Sequence, residues 1–163
     1  MENKIRAPRN RTVELREEER EEFEQKLLDG ADIDANGIPD NSTINDDMRH
    51  AISFLPDSSI DLLILDPPYN LTKQFQSSRF VKRNLAEYTL WLRGWFGELI
   101  RTLKPHATVY ICSDWATSPA IYDVASEYLT IRNRITWERE KGRGAAANWK
   151  NCSEDIWFGT VGE

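Results

Sequence analysis

Ile60-Asp61-Leu62-Leu63-Ile64-Leu65-Asp66-Pro67-Pro68-Tyr69-Asn70 is the stretch that decides the fold. Its first six residues form an almost continuous apolar run of strand length. That pattern predicts a parallel strand buried on both faces. The run stops at Asp66. Two consecutive prolines cannot extend a strand, and they fix φ through the turn that follows. In open α/β sheets, ligands bind beyond the carboxyl ends of the strands. Asp66 is therefore expected at a binding site. The prolines have no N–H, so the turn offers rigid carbonyls with no ladder role. A carboxylate, a carbonyl and an aromatic face can together hold a planar group bearing an NH2. Asp66 would accept one N–H, the Pro67 carbonyl the other, and Tyr69 would supply a stacking face. The plainer alternative is a strand-ending turn with a surface aspartate.

Working outward, Pro56-Asp57-Ser58-Ser59 reads as a turn, preceded by a helix from about Met48 to Leu55 and a short strand near Ser42–Asn45. Residues 29–42, rich in Asp, Asn, Gly and Pro, read as a linker. Before them, Thr12 could cap a helix from about Val13 to Asp29 with Gly30 as its stop. Its run Glu17-Glu18-Glu19-Arg20-Glu21-Glu22 reads as a solvated face. Residues 1–11 read as a basic arm. On the other side of the motif, residues 71–84 are polar and basic and read as a surface loop. Tyr88, Trp91, Leu92, Trp95, Phe96, Leu99, Ile100 and Leu103 follow helical spacing, so a helix is expected over Leu85–Leu103, stopped by Lys104-Pro105. Val109–Cys112 reads as a strand, Ser113 or Asp114 as the start of a helix to about Tyr128, and Ile131–Trp137 and Glu154–Thr160 as further strands. Strands alternating with helices predict a parallel α/β sheet. Two segments are expected: 1–42 as arm, acidic helix and linker, and 43–163 as the catalytic part.

The chain has 163 residues and a net charge of −6, and the charge is uneven. Residues 1–66 carry a balance of −9 and residues 67–163 a balance of +3, with all six tryptophans in the second part. An acidic total argues against non-specific coating of nucleic acid but leaves room for one basic face. With 40% apolar and 29% charged residues, the composition is that of a globular protein. No apolar run reaches the length of a transmembrane helix. Met1-Glu2-Asn3-Lys4 leads into charged residues, so no secretory signal is expected, and the three Asn-x-Ser/Thr matches at Asn41, Asn70 and Asn151 read as chance. Cys112, Cys152, His50 and His106 have no metal-ligand spacing, so no metal site is expected.

The motif and its surroundings resemble the amino-group DNA methyltransferases, which methylate adenine N6 or cytosine N4 using S-adenosylmethionine. The resemblance runs from about Thr43 to Thr160. It rests on Ile44-Asn45-Asp46-Asp47-Met48, Leu55-Pro56-Asp57-Ser58-Ser59-Ile60-Asp61-Leu62 and Asp66-Pro67-Pro68-Tyr69-Asn70. It continues through Leu103-Lys104-Pro105 before Val109-Tyr110-Ile111, and Ile135-Thr136-Trp137-Glu138. The order of motifs is similar to the class whose catalytic motif precedes its glycine-rich cofactor motif. The resemblance implies a Rossmann-like sheet, S-adenosylmethionine as cofactor and double-stranded DNA as partner. It also implies a flipped-out base and a cytoplasmic or nucleoid-associated enzyme. The Asp form of the tetrapeptide goes with adenine in that family. Asp66, Pro67, Pro68 and Tyr69 would be catalytic. Asp47 would lie near the adenosine of the cofactor together with Asp66, although the family has Gly-Asp where this chain has Asp46-Asp47. The plainer role for Asp47 is a helix N-cap.

Further expectations attach to the basic residues. Lys73, Arg79, Lys82 and Arg83 lie in the loop after the motif, where they could follow a nucleic-acid backbone. Arg132, Arg134, Arg139, Lys141, Arg143 and Lys150 surround Trp137 and Trp149, a mixture suited to a nucleic-acid surface. Strand alternation would equally turn Ile131, Ile135 and Trp137 into the core. Asn70, Lys73, Arg79, Lys82, Arg143, Asn148 and Lys150 are the expected nucleic-acid contacts. Gly142-Arg143-Gly144-Ala145-Ala146-Ala147 fits G-x-G-x-x-A, but no convincing helix follows it; in the family it resembles a loop near the target base. None of the eight glycines lies in the Phe-x-Gly-x-Gly pattern that the family uses to seat the cofactor. Three explanations stay open: a piece of a larger enzyme, one half of an enzyme completed by a second polypeptide, or a truncated non-catalytic relative that binds DNA or a partner. Assembly as a homodimer stays open too, as does methyl transfer to RNA or protein in place of DNA.

Overall fold

The computed structural model describes residues 15–30, 33, 38–74, 79–143 and 149–163, with the backbone alone for 141–143. The basic arm and most of the Gly142–Ala147 segment lie outside them, as does Asn148. Two compact units divide between Ala51 and Ile52.

In the first unit, α1 spans Glu17–Glu24, all of it without a buried residue. It is shorter than the helix expected to Asp29, because Leu27 and Leu28 leave it to form β1 (Leu27–Leu28). That pair runs parallel to β2 (Thr43–Ile44). Asn45 N–H extends the pairing to the Leu28 carbonyl at 2.8 Å. Helix α2 (Met48–Ala51) follows. A Cβ at Gly30 would collide with the carboxylate of Asp46, which is itself paired with His50. Glycine at 30 thus has a packing cause beyond the end of a helix.

The second unit opens with a 3-10 turn (Ile52–Phe54) and β3 (Ile60–Leu65). A two-stranded hairpin follows, β4 (Lys73–Gln74) with β5 (Arg79–Phe80), where a plain loop is expected from the sequence. Helix α3 (Leu85–Arg101) begins at Asn84. Its side chain accepts from Glu87 N–H at 2.9 Å while Glu87 reaches back to the Asn84 N–H at 3.2 Å, a reciprocal cap. Strand β6 (Leu103–Ser113) comes next, then α4 (Ser118–Ala125), β7 (Thr130–Arg143) and β8 (Asn151–Thr160). Helix α4 starts later than expected because Asp114 holds a turn first. Its carboxylate accepts from Ala116 N–H at 3.1 Å and Thr117 N–H at 2.8 Å.

The sheet order is β3-β6-β8-β7. Only β3 and β6 run parallel. β6–β8 and β8–β7 are antiparallel, so the sheet is mixed where an all-parallel one is expected. Only seven residues separate β7 from β8, fewer than the roughly dozen that a parallel crossover needs, so the two strands pair in opposite directions. Lys104-Pro105 interrupts the ladder rather than the helix. Ile60 pairs with Leu103, yet Leu62 pairs with Thr108, so four residues of β6 bulge between two rungs. Arg101, at the end of α3, donates to the carbonyls of Leu55 and Ile52 at 3.1 and 3.2 Å and pairs with Asp57, which ties the turn before β3 to the helix.

The core lies on one face. Leu92, Trp95, Phe96 and Leu99 of α3 and Ile121, Val124 and Ala125 of α4 cover Leu65, Val109 and Ile111. Each such aliphatic or aromatic burial stabilises by roughly 1.5–3 kcal/mol. On the opposite face Leu62 is 51% and Ile64 68% exposed, so β3 is buried on one side only. Trp137 and Ile135 are exposed as well, which removes them from the core expected by alternation. Among the described residues, no helix is long and apolar enough to cross a membrane.

Candidate active site

β3 delivers Asp66 to solvent at its carboxyl end, and the chain then turns through Pro67 (buried), Pro68 (exposed) and Tyr69 (half-buried). The turn is held from behind. The buried Tyr88 hydroxyl donates to the Pro68 carbonyl at 2.8 Å, and Asn70 N–H donates to the same oxygen at 2.8 Å. Asn70 sits in the left-handed region at φ 50°, a conformation that asparagine tolerates better than most residues. Its amide closes a two-way clamp: Nδ2 donates to the Arg83 carbonyl and Oδ1 accepts from the Arg83 N–H, both at 2.8 Å. The Pro67 carbonyl takes no part in the hydrogen bonds of the described residues. The geometry thus engages one proline carbonyl and leaves the other beside Asp66.

Asp66, Pro67, Pro68, Tyr69, Leu71, Lys73 and Phe80 line a cavity of about 320 Å³. That is the lower end of small-molecule sites. The Tyr69 hydroxyl donates to Glu154 Oε2 at 3.3 Å, and Glu154 is paired with Arg139. Burial first, and then the Asp66 carboxylate beside it, push the Tyr69 phenol well above its ordinary value. Burial and the same carboxylate also raise the Cys112 thiol. Tyr69 is therefore a neutral hydrogen-bonded aromatic at neutral pH, tethered at its hydroxyl end.

The expected site residues fall into three groups. Asp66, Pro67, Pro68, Tyr69 and Lys73 share the cavity. Asn70, expected at the nucleic acid, is 8% exposed and spends both ends of its amide on the Arg83 backbone. Arg79, Lys82 and Lys150 are exposed. Arg83 does not reach out: its guanidinium lies 4.8 Å from the Phe80 ring and 5.5 Å from the Trp91 ring. Of the second basic group, Arg132 donates to Thr160 and Gly162, Arg134 faces Asp155 at 3.6 Å, and Arg139 pairs with Glu154. Trp149 is fully in solvent. Arg143 is paired through its backbone with Asn151. In the first unit, the Asp47 carboxylate accepts from Arg49 N–H at 2.9 Å and from its guanidinium at 2.8 and 3.1 Å, which lowers its pKa. That is the capping role expected of it, at the residue immediately before α2. No group of metal-binding side chains occurs among the described residues.

Sequence reasoning missed Glu154, Leu71 and Phe80. Glu154 was legible as a carboxylate opposite Trp137 in a hairpin, once β7 and β8 are known to pair. Tyr88 reads as one more apolar position on a helix, and periodicity carries no information about where its hydroxyl goes.

Asp66, the Pro67 carbonyl and Tyr69 thus stand together just past the carboxyl end of a parallel strand in an α/β fold. The chain belongs to the DNA methylase family, whose model matches residues 60–160. It is similar to the type II methyltransferase M.HpaI of Haemophilus parainfluenzae, with 33% identity over 108 residues, 65% of this chain and 34% of the relative. Its fold is similar to that of the PvuII cytosine-N4-specific DNA methyltransferase. The TM-score is 0.55 at 13% identity, with 74% of this chain and 49% of that chain covered. It is also similar to a DNA modification methylase of Thermus thermophilus complexed with S-adenosyl-L-methionine. There the TM-score is 0.54 at 16% identity, covering 71% of this chain and 51% of that one. The chain thus spans about a third of the length of M.HpaI and about half of the two solved structures.

Proposed function

We propose that this chain is the acceptor half of a site-specific DNA amino-methyltransferase that acts on adenine N6, in the cytoplasm at the nucleoid. The observation that carries the reading is the Asp66 carboxylate beside a free Pro67 carbonyl at a base-sized cavity walled by Tyr69 and Phe80. An exocyclic amine is a poor nucleophile because its lone pair is delocalised into the ring. Hydrogen bonds from its two N–H groups to Asp66 and to the Pro67 carbonyl favour a more tetrahedral nitrogen and free that pair. This is positioning and electrostatic stabilisation rather than covalent catalysis. The target base is inaccessible inside a duplex and must be flipped out, with Tyr69 as the stacking face. Lys73 at the cavity and Arg79 and Lys82 on the hairpin are placed to follow the DNA backbone. Asp66 also lies where the proton shed by the methylated nitrogen can be taken up.

S-adenosylmethionine, when bound, supplies an electrophilic methyl on a sulfonium. The described residues fit the acceptor side of that reaction only. Gly94 and Gly97 lie inside α3 and Gly159 inside β8; among the described residues no glycine-rich turn follows a strand. The Asp47 carboxylate is occupied by Arg49. Among the described residues no cofactor seat is formed, and duplex DNA is the proposed substrate. Transfer of labelled methyl to duplex DNA by the complemented protein, followed by nucleoside analysis, tests the reading. N6-methyladenine that disappears in Asp66→Ala is expected. Transfer that survives Asp66→Ala, or equal labelling of RNA or protein, overturns it, and N4-methylcytosine would move the base to that of the PvuII enzyme.

A further inference from the structure

The Tyr69 hydroxyl stands between two carboxylates. It donates to Glu154 Oε2 at 3.3 Å, and the Asp66 carboxylate is a second acceptor within its reach. A phenol carries one proton, so it can give a full hydrogen bond to only one of them. The choice matters for the site. Donated to Asp66, the proton would draw charge from the carboxylate that has to accept the base N–H. Donated to Glu154, which does not line the cavity, the same proton leaves Asp66 its full charge.

Glu154 is itself braced. It sits on β8 opposite Trp137 of β7. Arg139, two residues further along the same face of β7, reaches it diagonally and pairs with it. The Arg139 and Glu154 side chains are 22% and 29% exposed, so the pair is not one of the fully wet bridges that contribute little. With the order β3-β6-β8-β7, Tyr69 spans β6 to reach β8. Asp66 beyond β3, Cys112 on β6, Glu154 on β8 and Arg139 on β7 are the charged and titratable groups about the hydroxyl among the described residues. At its other end the ring is carried by the turn, which Tyr88 and Asn70 hold through the Pro68 carbonyl.

We propose that Glu154, braced by Arg139, is a positioning residue for the amine-binding site: by taking the Tyr69 hydroxyl it fixes the ring as a wall of the cavity and keeps Asp66 clear of an internal donor. The inference rests on the proposed function, since it explains how the two groups that would hold the base are kept apart. A ring fixed at both ends has little freedom left to lose when a base stacks on it, so positioning is done before binding.

The test follows the Asp66 carboxyl carbon by NMR as pH is varied, in the full chain labelled at aspartate, with Asp66→Asn to assign the signal. Glu154→Gln and Glu154→Ala are compared, each alone and combined with Tyr69→Phe. Both remove the Glu154 charge and unpair Arg139, but glutamine keeps an acceptor for the hydroxyl. With Tyr69 present, Asp66 should titrate about 0.5–1 pH unit lower in Glu154→Ala than in Glu154→Gln, because the hydroxyl moves to Asp66 and favours its charged form. With Tyr69→Phe the two should titrate together. Equal titration with Tyr69 intact overturns the proposal, as does a difference that persists without the hydroxyl. A purely structural strut would lower the urea midpoint and leave no such difference. Should Glu154→Ala fail to fold, Glu154→Leu, closer in volume and also without an acceptor, takes its place. Labelled-methyl transfer to DNA should fall roughly 3–10-fold in Glu154→Ala and recover in Glu154→Gln. Transfer that Asp66→Ala abolishes but Glu154→Ala leaves at the parent level overturns the positioning role alone. The titration pattern as described, with no methyl reaching DNA in the parent, refutes the proposed function and leaves the Glu154 tether standing.

Discussion

Replacing Asn70 measures how firmly the turn after β3 is built. The side chain makes two hydrogen bonds to Arg83, each at 2.8 Å, and the residue is 8% exposed. Asn70→Ala leaves the Arg83 N–H and carbonyl without partners in a half-dry setting, at about 1 kcal/mol each. Alanine must also hold the left-handed backbone at φ 50°, for ~1–2 kcal/mol more. The total is about 3–4 kcal/mol, a large share of the 5–15 kcal/mol typical of a domain. Asn70→Gly relieves the backbone but loosens the unfolded chain by ~0.4–1 kcal/mol, so it should cost about 2.5–3 kcal/mol. Urea unfolding followed by tryptophan fluorescence reads the right region, because all six tryptophans lie beyond residue 66. With a slope of ~2 kcal/mol per molar, the midpoint should fall by about 1.5–2 M in Asn70→Ala. A loss below ~1 kcal/mol, or a glycine variant less stable than the alanine one, would refute the clamp. A loss of DNA affinity with unchanged stability would instead return Asn70 to the nucleic acid.

Tyr88→Phe should cost only ~0.5–1.5 kcal/mol, since the Pro68 carbonyl keeps the Asn70 N–H, and the urea midpoint checks it. Titration at 295 nm should show Tyr69 and Tyr88 still protonated above pH ~10, the ordinary tyrosine value. Their folded values are raised by burial, so the stability they confer is complete below pH ~10 and declines as pH rises beyond it. At pH 8 iodoacetamide should modify exposed Cys152 before Cys112, and Asp66→Asn should speed Cys112 by removing the charge that raises its thiol; equal rates in parent and variant would separate Asp66 from Cys112. Arg101→Ala removes donors to Leu55 and Ile52 and should lower stability by ~1–3 kcal/mol, read by the same unfolding curves.

How much of this was legible depends on the range of the physics involved. Local signals held. Helical spacing from Leu85, the apolar run of β3 and the diproline turn at its end each act within a few residues, and each appears where the sequence places it. Long-range pairing did not show. Nothing local tells β7 to fold back on β8 rather than cross over, so the antiparallel hairpin replaced an expected parallel strand, and with it went the core position of Trp137. The same limit hid Glu154, which meets Tyr69 only because β8 lies between β6 and β7. Periodicity put Tyr88 on the buried face of α3, where it lies, but carried nothing about its hydroxyl, and residue type carried nothing about the Arg83 backbone that the Asn70 amide holds. Both were given roles by residue type, apolar helix face and polar contact, whereas the turn uses their hydroxyl and amide as struts.

The apolar run Ile60–Leu65 carries the remaining argument. Its pattern is that of a strand covered on both faces, yet Leu62 and Ile64 face solvent. Sequence patterning responds to the environment in which a strand works, so this disagreement is informative rather than a failed expectation. At ~25 cal/mol per Å² of apolar surface, leaving that face wet forgoes stabilisation that one amphipathic helix would recover. The charge division meets at the same place, with the acidic stretch ending at Asp66 and the basic residues beginning beyond it. A strand with one covered face, one exposed apolar face and a solvent-facing carboxylate just beyond its tip is consistent with the proposed acceptor site.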